Sequence, residues 1–230
     1  MFRAFLFDID GTLVTARGAG RQALEVALAE TFGTSGPIER YDFRGKTDAR
    51  IISDLMQAAG VADAVVQRRL GTCFRVYVRE LRRAIGDGSR VEVMPGIPEV
   101  VATLAGRGDA VVGLLTGNIE AGARIKLEPT GLLPHFRVGA YGSDHADRAR
   151  LPHVAAGRIR QLSGRAVGFE DMVIIGDTPL DIACARACGA RAVAVATGLH
   201  RLDELAACGP DLLFSDFSDV PAAIDRLTRA

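Results

Sequence analysis

FRAFLFDIDGT, residues 2–12, is the stretch on which the fold turns. Phe5, Leu6 and Phe7 form a short apolar run, the pattern of a strand buried on both faces. Asp8 and Asp10 come directly after it, and Gly11 and Thr12 break the strand. Carboxylates where a buried strand ends are costly unless something nearby uses them. A plain hairpin turn at Asp10-Gly11 would account for them differently. It finds no partner strand downstream, because residues 24–32 have helical spacing instead of alternation.

Working outward, two more strands end in the same manner. Residues 110–115 (AVVGLL) run into Thr116-Gly117-Asn118, and residues 172–175 (MVII) run into Gly176-Asp177-Thr178-Pro179-Leu180-Asp181. Shorter strands are expected at 138–141, 192–196 and 212–214, with helices near 97–107, 119–130, 152–162 and 202–208. This alternation predicts an α/β fold, a Rossmann-like parallel sheet with helices on both faces. Between the first motif and Val91 the grammar is purely helical. Helices are expected at 18–32, after a cap at Thr47 or Asp48 as far as Gly60, and at 62–85, with a hinge at 86–89. The expected division is a core of residues 1–14 and 91–230 and a helical insert of residues 15–90. In open parallel sheets ligands collect outside the carboxyl ends of the strands. Asp8/Asp10, Thr116/Asn118 and Asp177/Asp181 should therefore meet at one edge.

Composition narrows the partners. Lys+Arg and Asp+Glu both number 28, so no net field points to nucleic acid or to a membrane. No apolar run approaches the ~18 residues of a membrane span. The first strand begins within two residues of the start, which leaves no room for a signal peptide, and a cytoplasmic setting is the expectation. Cys73, Cys184, Cys188 and Cys208 form no CxxC and read as small buried hydrophobes. His135, His145, His153 and His200 lack metal-ligand spacing. Only two lysines, Lys46 and Lys126, stand among many arginines.

Four carboxylates at one edge must hold protons or bind a cation. Two unit charges 4 Å apart interact by about 4 kcal/mol at an effective dielectric near 20. An oxygen-only ligand set favours a hard ion, and Mg²⁺ suits a few carboxylates with phosphate and water completing the shell.

The three motifs, Asp8-Ile9-Asp10-Gly11-Thr12, Thr116-Gly117-Asn118 and Gly176 to Asp181, resemble three of the four motifs of the haloacid dehalogenase-like phosphohydrolases. The helical insert is similar to that family's α-helical cap, in the manner of phosphoglycolate phosphatases. The resemblance implies a Mg²⁺-dependent phosphomonoesterase acting on a small phosphorylated metabolite. Asp8 would be the nucleophile and Asp10 the general acid and base. Asp8, the Asp10 carbonyl and Asp177 would hold the metal, with Asp181 binding it directly or through water. Thr116 and the backbone around Gly117 and Asn118 would grip phosphate, and Thr12 would support the turn.

The departure lies in the remaining motif, where the family usually places a lysine. Lys126 is the only lysine between the second and fourth motifs, and it falls on a helix, not in the expected loop. Arg148 or Arg150 could supply the cation instead, Arg148 being preferred because Arg150 adjoins the helix entry at Pro152. Lys46, before the second insert helix, could touch the leaving group. A phosphonatase using Lys46, a sugar phosphomutase and a non-catalytic phosphate-binding protein are the alternatives. A dehalogenase is disfavoured by Asp10.

Overall fold

The computed structural model describes residues 2–229. β1 (Arg3–Phe7) lies at the centre of a six-stranded parallel sheet. The other strands are β4 (Ala110–Thr116), β5 (Val138–Tyr141), β6 (Met172–Gly176), β7 (Arg191–Val195) and β8 (Leu212–Phe214). They take the order β5-β4-β1-β6-β7-β8. The chain thus builds outward from β1 first to one side and then to the other, and β1 is the switch point where such sheets open a crevice.

Both faces of the sheet are covered, as the apolar run requires. Phe5 and Phe7 point to one side, where they pack with α4 (Ile97–Ala105) and α9 (Val220–Thr228). Ala4 and Leu6 point to the other, against α6 (Leu151–Ser163) and α7 (Pro179–Cys188). This two-residue alternation across a strand is what divides one apolar run between two cores. α5 (Glu120–Leu127) comes after β4, and α8 (Leu202–Ala207) after β7.

Three helices precede α4 without any strand of the main sheet among them. They are α1 (Ala19–Phe32), α2 (Asp48–Ala58) and α3 (Asp63–Ile85). Leu24, Leu28, Ile52, Leu55, Met56 and Leu81 form a core of their own between them. The chain enters and leaves this bundle through β2 (Val14–Thr15) and β3 (Glu92–Val93), a two-residue antiparallel pair. Sequence reading expected no strand soon after Gly11; two residues are too short for a period-2 pattern to register. The Gly86 turn is also present, ending α3.

Candidate active site

Register brings the three strand ends together. Phe7 is paired with Leu114 on one side and with Ile175 on the other. One or two residues later Asp8, Thr116 and Asp177 leave the sheet side by side, and the Asp8 N–H is held by the Ile175 carbonyl at 2.9 Å. Asp8 and Asp177 open into a cavity of about 550 Å³ whose far wall comes from the helical bundle.

Asp8, Asp177 and Asp181 are buried, and one carboxylate oxygen of each lies within 4.8 Å of the others. Arg148 is the cation set among them. Its guanidinium lies 3.3 Å from Asp8 Oδ2 and makes a close ion pair with Asp181 Oδ1. It also donates to the Gly45 and Leu115 carbonyls at 2.9 and 3.4 Å, while its buried Nε has no partner among the described residues. Burial opposes the guanidinium's charge, but Asp181 and Asp8 outweigh it and hold Arg148 protonated. One arginine does not balance three carboxylates. Burial pushes Asp8 up to about 6, with Arg148 opposing and Asp181 adding to the rise. Asp177 is driven well above the carboxylate range by burial and then by Asp181 and Asp8. A buried, oxygen-only cluster with excess negative charge fits a hard divalent cation.

Asp181 has a second duty. Its Oδ2 accepts from the Thr178 N–H at 3.0 Å and the Thr178 hydroxyl at 2.7 Å, closing a capping box at the start of α7. Thr12 donates to Asp177 Oδ1 at 3.1 Å, so it braces an acidic residue as well as the turn. Gly11 is required in that turn. It has φ 82°, and a Cβ there would sit 2.3 Å from Asp177 Oδ2.

Asp10 is separate from the carboxylate triad. Its half-exposed side chain lines the cavity and is gripped by Lys126 Nζ, 2.6 and 2.8 Å from its two oxygens. Asn118 Nδ2 adds a third bond at 2.7 Å. Lys126 is the residue that sequence reading set aside. It sits on a helix as its spacing predicts, but its side chain reaches back to Asp10 and Asn118 at the sheet edge. Its rarity in an arginine-rich chain was the available signal.

The other expected residues divide. Gly117, Asn118 and Lys46 line the cavity. Lys46 Nζ stands 4.0 Å from the centroid of the Tyr41 ring. Thr116 is fully buried, its hydroxyl accepting from Asn118 N–H and Nδ2 at 3.3 and 2.9 Å. It holds Asn118 in place and does not line the cavity, so the expected phosphate contact is not made by its side chain. Arg150 is exposed and lies outside the cavity lining. Arg148 and Arg150 share one 3-10 turn, Arg148–Arg150, and a two-residue step there turns a side chain about 240° away.

The insert is seated on this edge by the 45–48 loop. The Asp48 N–H donates to Gly117 O at 2.8 Å, and Asp48 Oδ2 accepts from the Ile119 N–H at 2.8 Å. The Thr47 hydroxyl donates to Ala146 O at 2.6 Å. Burial, opposed by Lys126, pushes Asp48 up to about 6. Asp48 was expected only as a helix cap; its contact with the second motif is long-range and leaves no local pattern.

Comparison with known proteins agrees with this geometry. The sequence profile of a haloacid dehalogenase-like hydrolase matches residues 2–189. A probable phosphatase, IndB, from Dickeya dadantii is 29% identical over 226 residues, covering 97% of this chain and 94% of that protein. A phosphoglycolate phosphatase from Synechococcus elongatus is 28% identical over 233 residues, covering 99% of each. Among solved structures, CbbY from Rhodobacter sphaeroides in complex with phosphate superposes with a TM-score of 0.73 at 20% identity. That match covers 98% of this chain and all of that one.

Proposed function

The chain belongs to the haloacid dehalogenase-like hydrolases, and from that premise we propose a Mg²⁺-dependent phosphomonoesterase that cleaves a small phosphorylated metabolite by way of a phosphorylated Asp8. The observation that carries this reading is the placement of Asp8: buried at the mouth of β1, flanked by two further carboxylates and an arginine, with Asp10 beside it on the cavity wall. The phosphatase names borne by the relatives support it.

Asp8, Asp177 and the Asp10 carbonyl would hold Mg²⁺. Asp181, with both oxygens engaged by Thr178 and Arg148, would act through a bound water. When bound there, Mg²⁺ would supply compensation for the charge on Asp8 and on the phosphoryl oxygens. An Asp8 oxygen attacks phosphorus, and the bond to the leaving oxygen breaks as Asp10 gives that oxygen its proton. Asp10 then takes a proton from water, whose oxygen attacks the phosphoryl group and frees the Asp8 carboxylate. Arg148, through its unpartnered Nε–H, has a donor to spare for a phosphoryl oxygen. The backbone at Gly117 and Asn118 contributes further donors.

Residues 15–90 form the proposed cap. It closes the cavity from above and limits the size of the leaving group. Lys46 is the cap cation placed to touch that group. The test is hydrolysis of p-nitrophenyl phosphate with Mg²⁺ by the wild type and by Asp8→Asn. The substitution should abolish turnover and leave the circular dichroism spectrum unchanged. Substantial turnover by a folded Asp8→Asn protein would overturn the proposal.

A further inference from the structure

Lys126 is buried, 4% exposed, and its ammonium is completely used. It has three N–H bonds and three acceptors at bonding distance: Asp10 Oδ2 at 2.6 Å, Asp10 Oδ1 at 2.8 Å and Asn118 Oδ1 at 2.6 Å. No donor is left for a substrate. Burying an ammonium costs several kcal/mol unless its partners are in place, so the site is built around this pairing. Asn118 completes a closed ring, since its Nδ2 returns to Asp10 Oδ2 at 2.7 Å.

The ring is anchored on the helical insert. Asp48 holds the segment that carries Asn118 from both sides, through Gly117 O and the Ile119 N–H. Gly117 permits this approach; a Cβ there would stand 2.0 Å from Lys46 O. An unbroken series of contacts thus runs from the 45–48 loop through Asn118 and Lys126 to Asp10.

We infer that Lys126 is the positioning residue for Asp10, fixing its carboxylate at the cavity wall when the insert is seated. The inference rests on the reading of Asp10 as the general acid and base. In the step it serves, the Asp10 proton moves to the leaving oxygen as the P–O bond breaks, and water returns a proton in the second half-reaction. Lys126 keeps its three protons throughout and touches no substrate.

Leaving groups separate this role from a merely structural one. An alkoxide must be protonated as it departs, whereas p-nitrophenolate leaves as a stable anion. Positioned acid catalysis contributes about 10²–10⁴-fold. Lys126→Met should therefore cut kcat for a primary alkyl phosphate such as glycerol 3-phosphate by about 100-fold, near the lower end of that range. Release of p-nitrophenolate in the first turnover, read before the water step that Asp10 serves for both substrates, should fall far less, and KM for the alkyl phosphate should hold. Lys126→Arg retains the charge but its planar fork cannot reproduce the tripod of bonds. It should show the same selective loss, smaller in size, and it keeps the test open if the methionine variant does not fold. Asp10→Asn is measured in parallel. If Asp10→Asn loses the alkyl phosphate selectively and both Lys126 variants lose the two substrates equally, the positioning role is wrong. An elevated KM with unchanged kcat in the Lys126 variants also overturns it, because it would mark a substrate contact. An Asp10→Asn protein without selectivity would remove the acid–base reading, and the inference with it.

Discussion

Replacing Arg148 by methionine removes the cation set among three buried carboxylates and preserves most of the side chain's volume. At 3.3 Å from Asp8 the guanidinium is worth about 5 kcal/mol at an effective dielectric near 20, before its own desolvation is counted. Asp181 lies closer still, and the Gly45 and Leu115 carbonyls each lose a donor worth roughly 1 kcal/mol. Against these gains stands the cost of burying the guanidinium, which the variant no longer bears. Breaking one side of a buried ion pair costs about 3–5 kcal/mol in proteins where it has been tested, and that is the expected loss here. The assay is urea unfolding at neutral pH in the presence of a chelator, monitored by circular dichroism. Adding Mg²⁺ should recover part of the loss, because a dication in the carboxylate cluster takes over some of the compensation. A loss below about 1 kcal/mol, the range of exposed pairs, would mean that Arg148 does not carry this charge balance. A loss that Mg²⁺ leaves unchanged would mean that no metal enters the cluster.

The same geometry sets other outcomes. Lys46→Ala should raise KM several-fold with little change in kcat, which steady-state kinetics on an alkyl phosphate will read; unchanged KM would remove Lys46 from the substrate's path. Gly117→Ala drives a Cβ to 2.0 Å from Lys46 O, so limited proteolysis should find the 44–48 loop released while the sheet persists; an equally protected loop would contradict the seating described. Asp48, pushed up to about 6 by burial, binds its proton more tightly folded than unfolded, so its contribution to stability falls as pH rises from about 4 to about 6. Asp48→Asn lacks this penalty, and its stability relative to wild type should improve across that window by up to about 3 kcal/mol, two units at 1.36 kcal/mol each. A difference that does not vary with pH would show that Asp48 is not buried as an acid.

Much of this arrangement was legible in the sequence because it rests on short-range signals. The Phe5–Phe7 run, the strand ends at Asp8, Thr116 and Asp177, and the Thr47 cap are all written within a few residues of one another. Parallel topology then does the rest, since strands in register deliver the residues just past their carboxyl ends to one edge. The features that escaped depend on long-range packing. Lys126 sits on α5 as its spacing implied, yet nothing local says that its side chain meets Asp10. Asp48 reads as a helix start, and its bonds to Gly117 and Ile119 come from a partner about seventy residues away. Arg148 is preferred over Arg150 in sequence only because Arg150 adjoins the helix entry at Pro152, and the 3-10 turn separates them by burying the first and exposing the second. Asp181 combines two roles, a partner in the capping box of α7 and a member of the acidic cluster.

The most direct test of the account is to catch the phosphoryl group on the protein. Enzyme mixed with substrate and Mg²⁺, quenched within one turnover and reduced with borohydride, should carry homoserine in place of aspartate at position 8, located by peptide mass spectrometry and absent without substrate. Reduction at a different carboxylate, or none in an enzyme turning over normally, would contradict the assignment of Asp8.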